Sequence, residues 1–98
     1  MQITKTLNND ALTIAISGRI DTLTAPQLDA EIQGKLDGVK SLTIDLKDVE
    51  YVSSAGLRIF LTAQKIMNKQ GKMVVKNASS AIKEIFDVTG FSDILTIA

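Results

Sequence analysis

The chain has 98 residues, of which 45% are hydrophobic, with one proline and six glycines. It is too short for two cores and too apolar for a disordered tail, so we expect one domain over residues 1–98. Eleven basic residues balance eleven acidic ones without long runs of either sign, which argues against a nucleic-acid partner. The absence of cysteine and histidine excludes disulfides and thiolate or imidazole metal ligands, and it removes the commonest nucleophile and general base of enzymes.

The amino-terminal segment predicts a β-hairpin. Ile3–Leu7 and Ala11–Ser17 alternate apolar and polar residues, and Asn8, Asn9 and Asp10 between them tolerate turn conformations. The chain start has no basic stretch followed by an apolar core, and no apolar run approaches the length of a membrane span. We therefore expect a cytoplasmic protein without membrane insertion that opens with two antiparallel strands.

A first helix is predicted from about Ala25 to Leu36. Thr24 and Gln27 have the spacing of a capping box, in which the two side chains satisfy free backbone donors at a helix start. Pro26 falls in the first turn, where proline is favoured, and Gly38 follows the last helical position. The apolar residues that recur at helical spacing are Ala25, Leu28, Ile32 and Leu36.

The rest of the chain alternates β-rich runs with helical patterns. Strands are predicted at Leu42–Leu46, Met73–Val75 and Ile94–Ile97, and helices at Ser54–Gln70 and around Ala81–Phe86, the last closed by Gly90. The connections between these strands are too long for hairpins, which implies parallel pairing through right-handed crossovers. The sequence therefore predicts an α/β domain with a mixed β-sheet and helices packed mainly on one face.

The predicted helix Ser54–Gln70 is apolar around most of its circumference. Only Arg58, Thr62, Lys65 and Lys69 form a polar stripe, so we expect the helix to be heavily buried. The residues expected in the core are Ile14, Ile16, Leu28, Ile32, Ile44, Leu57, Phe60, Leu61, Val74, Ile85 and Phe86.

The segment Lys47–Gly56 joins a strand to the second helix, and it is the expected functional site. In α/β sheets, ligands and partners meet the carboxyl ends of strands and the amino ends of the following helices. Ser54 is placed to cap the helix with Ser53 just before it, and Gly56 permits a close backbone approach. The serines are either structural caps alone or exposed acceptors for a phosphate, which a helix amino end favours.

Charged residues elsewhere have structural explanations that compete with functional ones. Asp21 precedes the first helix and can tie down its loop through local hydrogen bonds. Asp45 is expected to satisfy backbone donors at a strand end, since no second carboxylate stands at a spacing suited to acid–base work. Arg58 either pairs with a partner's acidic group or covers apolar surface with its stem. A Gly-x-x-x-x-Gly-Lys phosphate loop is absent, and we predict neither an enzyme nor a bound cofactor or metal.

Three stretches resemble the STAS domain of bacterial anti-sigma factor antagonists. Tyr51–Arg58 is similar to the family's Asp-Ser-(Ser/Thr/Ala)-Gly-Leu motif, Gly18–Asp21 resembles its Gly-x-(Leu/Ile)-Asp element, and Leu42–Leu46 resembles its apolar strand with an embedded aspartate. Matching the glycine and leucine of the motif places Ser54 on the family's serine and Ser53 on its aspartate. The resemblance also implies that Asp21 lies beside the phosphorylatable serine, at the partner surface.

The resemblance implies a regulatory function. In the family, the unphosphorylated antagonist binds an anti-sigma factor that is also a serine kinase and so releases a sigma factor; phosphorylation ends the binding and a phosphatase restores it. For this chain, the resemblance implies phosphorylation at Ser54, with Ser53 as the alternative. The partner-binding residues that we predict, from the residues themselves and from the resemblance together, are Asp21, Ser53, Ser54, Gly56 and Arg58. The alternative function is a STAS subunit or regulatory module of a membrane transport system for lipids or anions.

Overall fold

The computed structural model describes residues 1–98, and the chain begins with two strands, β1 (Gln2–Asn8) and β2 (Ala11–Ile20). They pair antiparallel through a tight turn. Asn9 in this turn has a φ of 55°, a left-handed conformation that asparagine adopts more readily than most residues. The predicted hairpin is therefore confirmed.

The following elements alternate between helix and strand. They are α1 (Ala25–Ile32), β3 (Ser41–Val52), α2 (Ser54–Gln70), β4 (Lys72–Lys76), α3 (Ser80–Thr89) and a 3₁₀ helix at Phe91–Asp93. The sheet order is β1-β2-β3-β4, with β2, β3 and β4 parallel to one another. Because consecutive parallel strands are added in one direction, right-handed crossovers carry α1 and α2 over the same face of the sheet. The predicted mixed α/β architecture is confirmed.

The core lies between the sheet and the helices. Ile14, Ile44 and Val75 are aligned across three neighbouring strands and are completely buried on the helix side. Thr13 and Thr43 come one residue earlier on their strands and therefore point to the opposite face, where they remain half-exposed. The prediction that the helices cover mainly one face of the sheet is thus confirmed.

Three residues expected in the core, Leu61, Val74 and Ile85, are only half-buried, and the other expected core residues are buried. Val74 lies between the inward-facing Met73 and Val75, so strand alternation turns it to the open face. In α3 the buried residues are Ile82 and Phe86, which leaves Ile85 on the flank of the helix. In α2 the inward line includes Phe60, Ala63 and Met67, and Leu61 lies beside it.

The first helix is shorter than predicted. It ends at Ile32 because Gln33 has an extended backbone and Gly34 has a φ of 70°, which turns the chain away from the helix axis. Leu36 is nevertheless buried, so it packs into the core from the loop that follows the helix.

The strand predicted at Ile94–Ile97 is also wrong. The backbone N–H groups of Ile94 and Leu95 both donate to the carbonyl of Phe91, which holds these residues in a helical turn. Only a single parallel bridge remains, between Val75 and Ile97.

Candidate functional site

The strands β2 and β3 end side by side. Ile20 pairs with Val52, and the backbone N–H of Ser53 donates to the carbonyl of Ile20 at 2.7 Å. Asp21 and Ser53 are therefore the first residues after β2 and β3, and they lie side by side where the two strands end. Strand pairing brings these two predicted partner-binding residues next to each other at the start of α2.

The two serines of this turn have different roles. Ser53 has an extended backbone (φ −84°, ψ 173°), and its Oγ accepts a hydrogen bond from the backbone N–H of Gly56 at 3.4 Å. Ser53 is thus the N-cap, the last residue before helical geometry begins. The prediction that Ser54 caps the helix is wrong, because Ser54 already occupies the first helical position. Ser54 is exposed, and its hydroxyl makes no hydrogen bond within the chain.

Gly56 brings the first turn of α2 down onto the strand ends. A Cβ at this position would clash with Cγ2 of Ile20, only 2.6 Å away, and would lie unusually close to Cγ1 of Val52, at 3.0 Å. The glycine therefore sets the height of Ser54 above the ends of β2 and β3. Gly56 is itself buried, so it can influence a partner only through the position of the helix.

Asp21 organises the turn that faces Ser53. Its Oδ1 accepts hydrogen bonds from the backbone N–H groups of Leu23 and Thr24, both at 3.0 Å. Thr24 Oγ1 in turn accepts from the N–H of Asp21 at 2.9 Å and donates to the carbonyl of Arg19 at 2.7 Å. Because Thr24 serves this turn, it makes no side-chain cap to α1, and the capping box predicted with Gln27 does not form.

The same hydrogen bonds control the charge of Asp21. The backbone N–H of Thr24 is the largest influence that lowers the pKa of Asp21 below its ordinary value, although partial desolvation opposes the shift. The N–H of Leu23, the Thr24 hydroxyl and the positive charge of Arg19 lower the pKa further. Asp21 therefore presents a firmly ionised carboxylate beside the serine pair.

An exposed apolar side chain at this turn was not singled out from the sequence. Leu23 is 89% exposed, and its backbone is held by the hydrogen bond to Asp21. The sequence signal that could have identified Leu23 was a leucine flanked by turn-forming polar residues, since the turn itself needs no apolar side chain.

Arg19 and Tyr51 lie at the neighbouring strand ends. The guanidinium of Arg19 lies 4.7 Å from the ring centroid of Tyr51, and its Nε lies 3.9 Å from Oδ2 of Asp21.

The remaining charged candidates lie apart. Arg58 is exposed one helical turn after Ser54 and forms no ion pair within the chain, so its charge is available to a partner. Asp45 lies in the middle of β3, where its Oδ1 accepts hydrogen bonds from the backbone of Lys47 and from Nδ2 of Asn77, both at 3.0 Å. The bond from Asn77 is the main cause of the lowered pKa of Asp45. Asp45 therefore does accept from a backbone donor, as predicted, but the predicted position at a strand end is wrong, because β3 continues to Val52.

The surface around Ser54 suits a protein better than a small molecule. A cavity of about 230 Å³ lies at the opposite end of the sheet, beside the β1–β2 turn, where Lys5, Leu7 and Lys35 are among its lining residues. The aspartate and glutamate side chains nowhere form a group of three or more that could hold a metal ion. No helix in the structure combines the length and the apolar character that crossing a membrane requires. None of the cavities in the structure is lined by Asp21, Ser53 or Ser54, so the strand ends form an open surface.

Comparison with known proteins gives consistent matches over the whole chain. The chain is 35% identical over 92 residues to the anti-sigma-B factor antagonist of Bacillus subtilis, and the aligned region covers 93% of this chain and 84% of that protein. The structure is similar to that of an anti-sigma factor antagonist from Mycobacterium paratuberculosis, with a TM-score of 0.88 and 26% identity over 98% of this chain and 83% of the other.

The fold is also that of SpoIIAA, a cell fate determinant of Bacillus. Its unphosphorylated form matches with a TM-score of 0.78 and 15% identity over 99% of this chain and 87% of the other. Its phosphorylated form matches with a TM-score of 0.77 and 16% identity over 99% and 91%. The model of the STAS domain family matches residues 2–98. The chain therefore belongs to the STAS domain family.

Proposed function

We propose that this chain is an anti-sigma factor antagonist: unphosphorylated, it binds an anti-sigma factor and so frees a sigma factor. The observation that carries the proposal is the free, exposed hydroxyl of Ser54 at the first position of α2, on the surface where β2 and β3 end. The relative from Bacillus subtilis, which is named for this activity, supports it. No feature of the structure favours the alternative of a transport-system module.

Binding would use the turn that Asp21 organises, whose backbone is held in place by hydrogen bonds. Leu23 offers an apolar anchor, and complete burial of a leucine contributes about 1.5–3 kcal/mol. Because the turn is already fixed by hydrogen bonds to Asp21, little further ordering is needed when a partner binds. Asp21 and Arg58 would add one charge of each sign around Ser54.

The switch would be phosphorylation of Ser54 by the anti-sigma factor acting as a serine kinase. Oγ of Ser54 forms a bond to the γ-phosphorus of ATP, the bond from that phosphorus to the ADP oxygen breaks, and the hydroxyl proton passes to a base of the kinase. A phosphatase would remove the phosphate by hydrolysis and restore binding. The chain is a substrate in this cycle and needs no catalytic group or cofactor of its own.

The magnitudes favour an effect on binding over an effect on folding. A phosphate adds about −1.5 to −2 charges, and a helix amino end stabilises an anion by about 0.3–1 kcal/mol. One like-charge contact at about 4 Å across an interface costs about 4 kcal/mol at an effective dielectric of about 20, nearly three decades of affinity. The fold can therefore accept a phosphate that the interface rejects.

Ser53 is the alternative acceptor, and its geometry makes it the weaker one. It is half-buried and holds the helix cap, so a kinase would have to rotate Ser53 out of its cap to reach the hydroxyl. Ser54 can be reached without any change in the helix.

The proposal is tested by incubating the purified chain with its cognate anti-sigma factor, measuring binding by calorimetry and locating phosphate by mass spectrometry after addition of ATP and magnesium. Wild type and Ser54→Ala should bind, and Ser54→Asp should bind at least about tenfold more weakly. Ser80→Asp is a matched control, because Ser80 is likewise the exposed first residue of a helix, after the cap Ser79. Equal binding by all four proteins, with no phosphate on either Ser54 or Ser53, would contradict the proposal.

A further inference from the structure

The outer face of α2 carries charge of one sign only. The helix contains three basic residues, Arg58, Lys65 and Lys69, and no acidic residue among its 17 positions. Their spacing places them along one side of the helix, where all three are exposed and none forms an ion pair within the chain. We call the surface formed by Arg58, Thr62, Lys65 and Lys69 the basic ridge.

The basic ridge contains a shallow depression. A depression of about 260 Å³ is lined by Thr62, Lys65, Ile66, Lys69 and Gln70. The half-buried Ile66 is the only apolar residue among the five that line this depression. The depression therefore adds one apolar contact to a surface that is otherwise polar and positively charged.

Folding does not account for the sign of these charges. Lys65 and Lys69 stand four residues apart, a spacing at which like charges destabilise a helix. The helix dipole favours only Lys69, in the last turn, and it would favour acidic residues in the first turn, where α2 has none. Because the whole chain has equal numbers of basic and acidic residues, the single sign of α2 is a local departure that a binding partner would explain.

We infer that the basic ridge is the docking surface for an acidic segment of the anti-sigma factor. The inference rests on the proposed function, since it identifies which surface of the partner meets this chain. Two observations carry it: the unpaired positive charges select an acidic partner, and the ridge continues the site because Ser54 begins the same helix. A protein partner is favoured over an anionic membrane because the ridge has three basic residues, fewer than the roughly four to eight that mark binding to anionic lipid.

The position of Ser54 relative to the ridge determines how far a phosphate acts. At a rise of about 1.5 Å per residue, Arg58 lies about 6 Å along the helix from Ser54, whereas Lys69 lies about 22 Å away. Charges in solution are screened over about 8 Å at physiological salt. A phosphate on Ser54 therefore opposes the acidic segment near Arg58 and leaves the attraction at Lys65 and Lys69 intact.

The test measures association and dissociation rates with the purified anti-sigma factor for wild type and the Lys65→Glu/Lys69→Glu variant. The association rate of the variant should fall about tenfold at about 50 mM NaCl, and the loss should shrink at about 500 mM because salt screens the attraction. Lys35→Glu/Lys83→Glu is the matched control, since it changes the net charge equally at two exposed lysines outside α2. The control should associate within about twofold of wild type.

Combining these changes with Ser54→Asp tests the screening argument. The effects of Ser54→Asp and Lys65→Glu/Lys69→Glu should multiply, because the sites are distant, whereas Ser54→Asp and Arg58→Ala should show non-additive effects. Equal association rates for the ridge variant and its control, with Ser54→Asp still weakening binding, would overturn the ridge and leave the proposed function standing. If the wild-type chain does not bind the anti-sigma factor, both the proposed function and the role of the basic ridge are wrong. Ridge-dependent binding to phosphatidylserine vesicles, without an effect on the anti-sigma factor, would assign the surface to a membrane and also overturn the inference.

Discussion

The backbone N–H of Gly56 donates a hydrogen bond to Oγ of Ser53, and this bond gives the capping role to Ser53 and not to Ser54. Ser53 holds the start of α2, while Ser54 carries a hydroxyl that the fold does not use. A phosphate can therefore be added at Ser54 without removing the helix cap. If one serine had both roles, modification would change folding and binding together.

This division predicts different stabilities for the two alanine variants. Ser53→Ala should lower the free energy of unfolding by about 0.5–1 kcal/mol, the lower part of the range for lost caps, because the bond from Gly56 is long at 3.4 Å. Ser54→Ala should remain within about 0.5 kcal/mol of wild type, since its hydroxyl has no partner to lose. Urea unfolding measures both. If Ser54→Ala lowered the free energy of unfolding more than Ser53→Ala, Ser54 would be the cap.

The matched pair in α3 calibrates this comparison. Oγ of Ser79 accepts from the N–H of Ile82 at 3.2 Å, and Ser80 follows at the first helical position. Ser79→Ala should cost at least as much as Ser53→Ala, about 1 kcal/mol, and Ser80→Ala should be nearly neutral.

The sequence predicts α2 well and its capping residue poorly, for one physical reason. A long periodic run followed by Gly71 defines a helix from Ser54 to Gln70, as the structure has it. Two adjacent serines are equally good caps, however, so sequence alone cannot choose between them. The packing of Gly56 against Ile20 fixes where the helix begins, and that contact joins residues far apart in the chain.

Other differences arise from runs that have no internal period. Met73, Val74 and Val75 are all apolar, so the pattern cannot show which of them faces the open side of the sheet.

The turn at Asp21 was predicted only in part. The resemblance placed Asp21 near the serines, and the pairing of β2 with β3 puts it there. The capping box failed because Thr24 forms its hydrogen bonds with the Asp21 turn, a competition between two local motifs that propensity does not decide.

Gly56 gives a prediction about the packing of α2 on the sheet. Gly56→Ala would place a Cβ 2.6 Å from Cγ2 of Ile20, so the helix start must shift, and overpacking of this kind costs about 1–3 kcal/mol. The loss should exceed any gain from alanine's higher helix propensity, about 1 kcal/mol. Urea unfolding should therefore show a less stable variant.

A second substitution distinguishes this clash from a general effect of the added methyl group. In the Gly56→Ala/Ile20→Ala variant the opposing Cγ2 is gone, so the double change should destabilise less than the sum of the two single changes. Simple additivity, or a Gly56→Ala protein as stable as wild type, would show that the helix start has room to move.

Acid should weaken the fold through Asp21. Its folded pKa lies below the ordinary value of 3.8, so the stabilisation is present at neutral pH and is lost as the pH falls through the folded pKa. Asn at this position keeps an oxygen acceptor but not the charge, so Asp21→Asn should be less stable than wild type at about pH 7, with a difference that shrinks toward about pH 2. Unfolding curves at several pH values measure this.

Asp45 provides the comparison for the acid effect. Its pKa is also lowered, chiefly by Asn77, so part of the acid dependence should survive in Asp21→Asn and diminish further in Asp21→Asn/Asp45→Asn. Parallel pH curves for wild type and Asp21→Asn would show that Thr24 and Leu23 stabilise the turn equally well without the carboxylate charge.

Leu23 should contribute to partner binding without contributing to folding. Its side chain is 89% exposed, so Leu23→Ala should leave the free energy of unfolding within about 0.5 kcal/mol of wild type. If the anti-sigma factor buries this leucine, truncation should weaken binding by about 1–2 kcal/mol, roughly tenfold in affinity. Because Leu23 lies at the tip of a turn already held by Asp21, the loss should appear mainly in the dissociation rate. Val88→Ala, at a 77% exposed position of α3, is the matched control and should bind as wild type does. Equal dissociation rates for the Leu23 and Val88 variants would exclude the Asp21 turn from the interface and confine docking to α2.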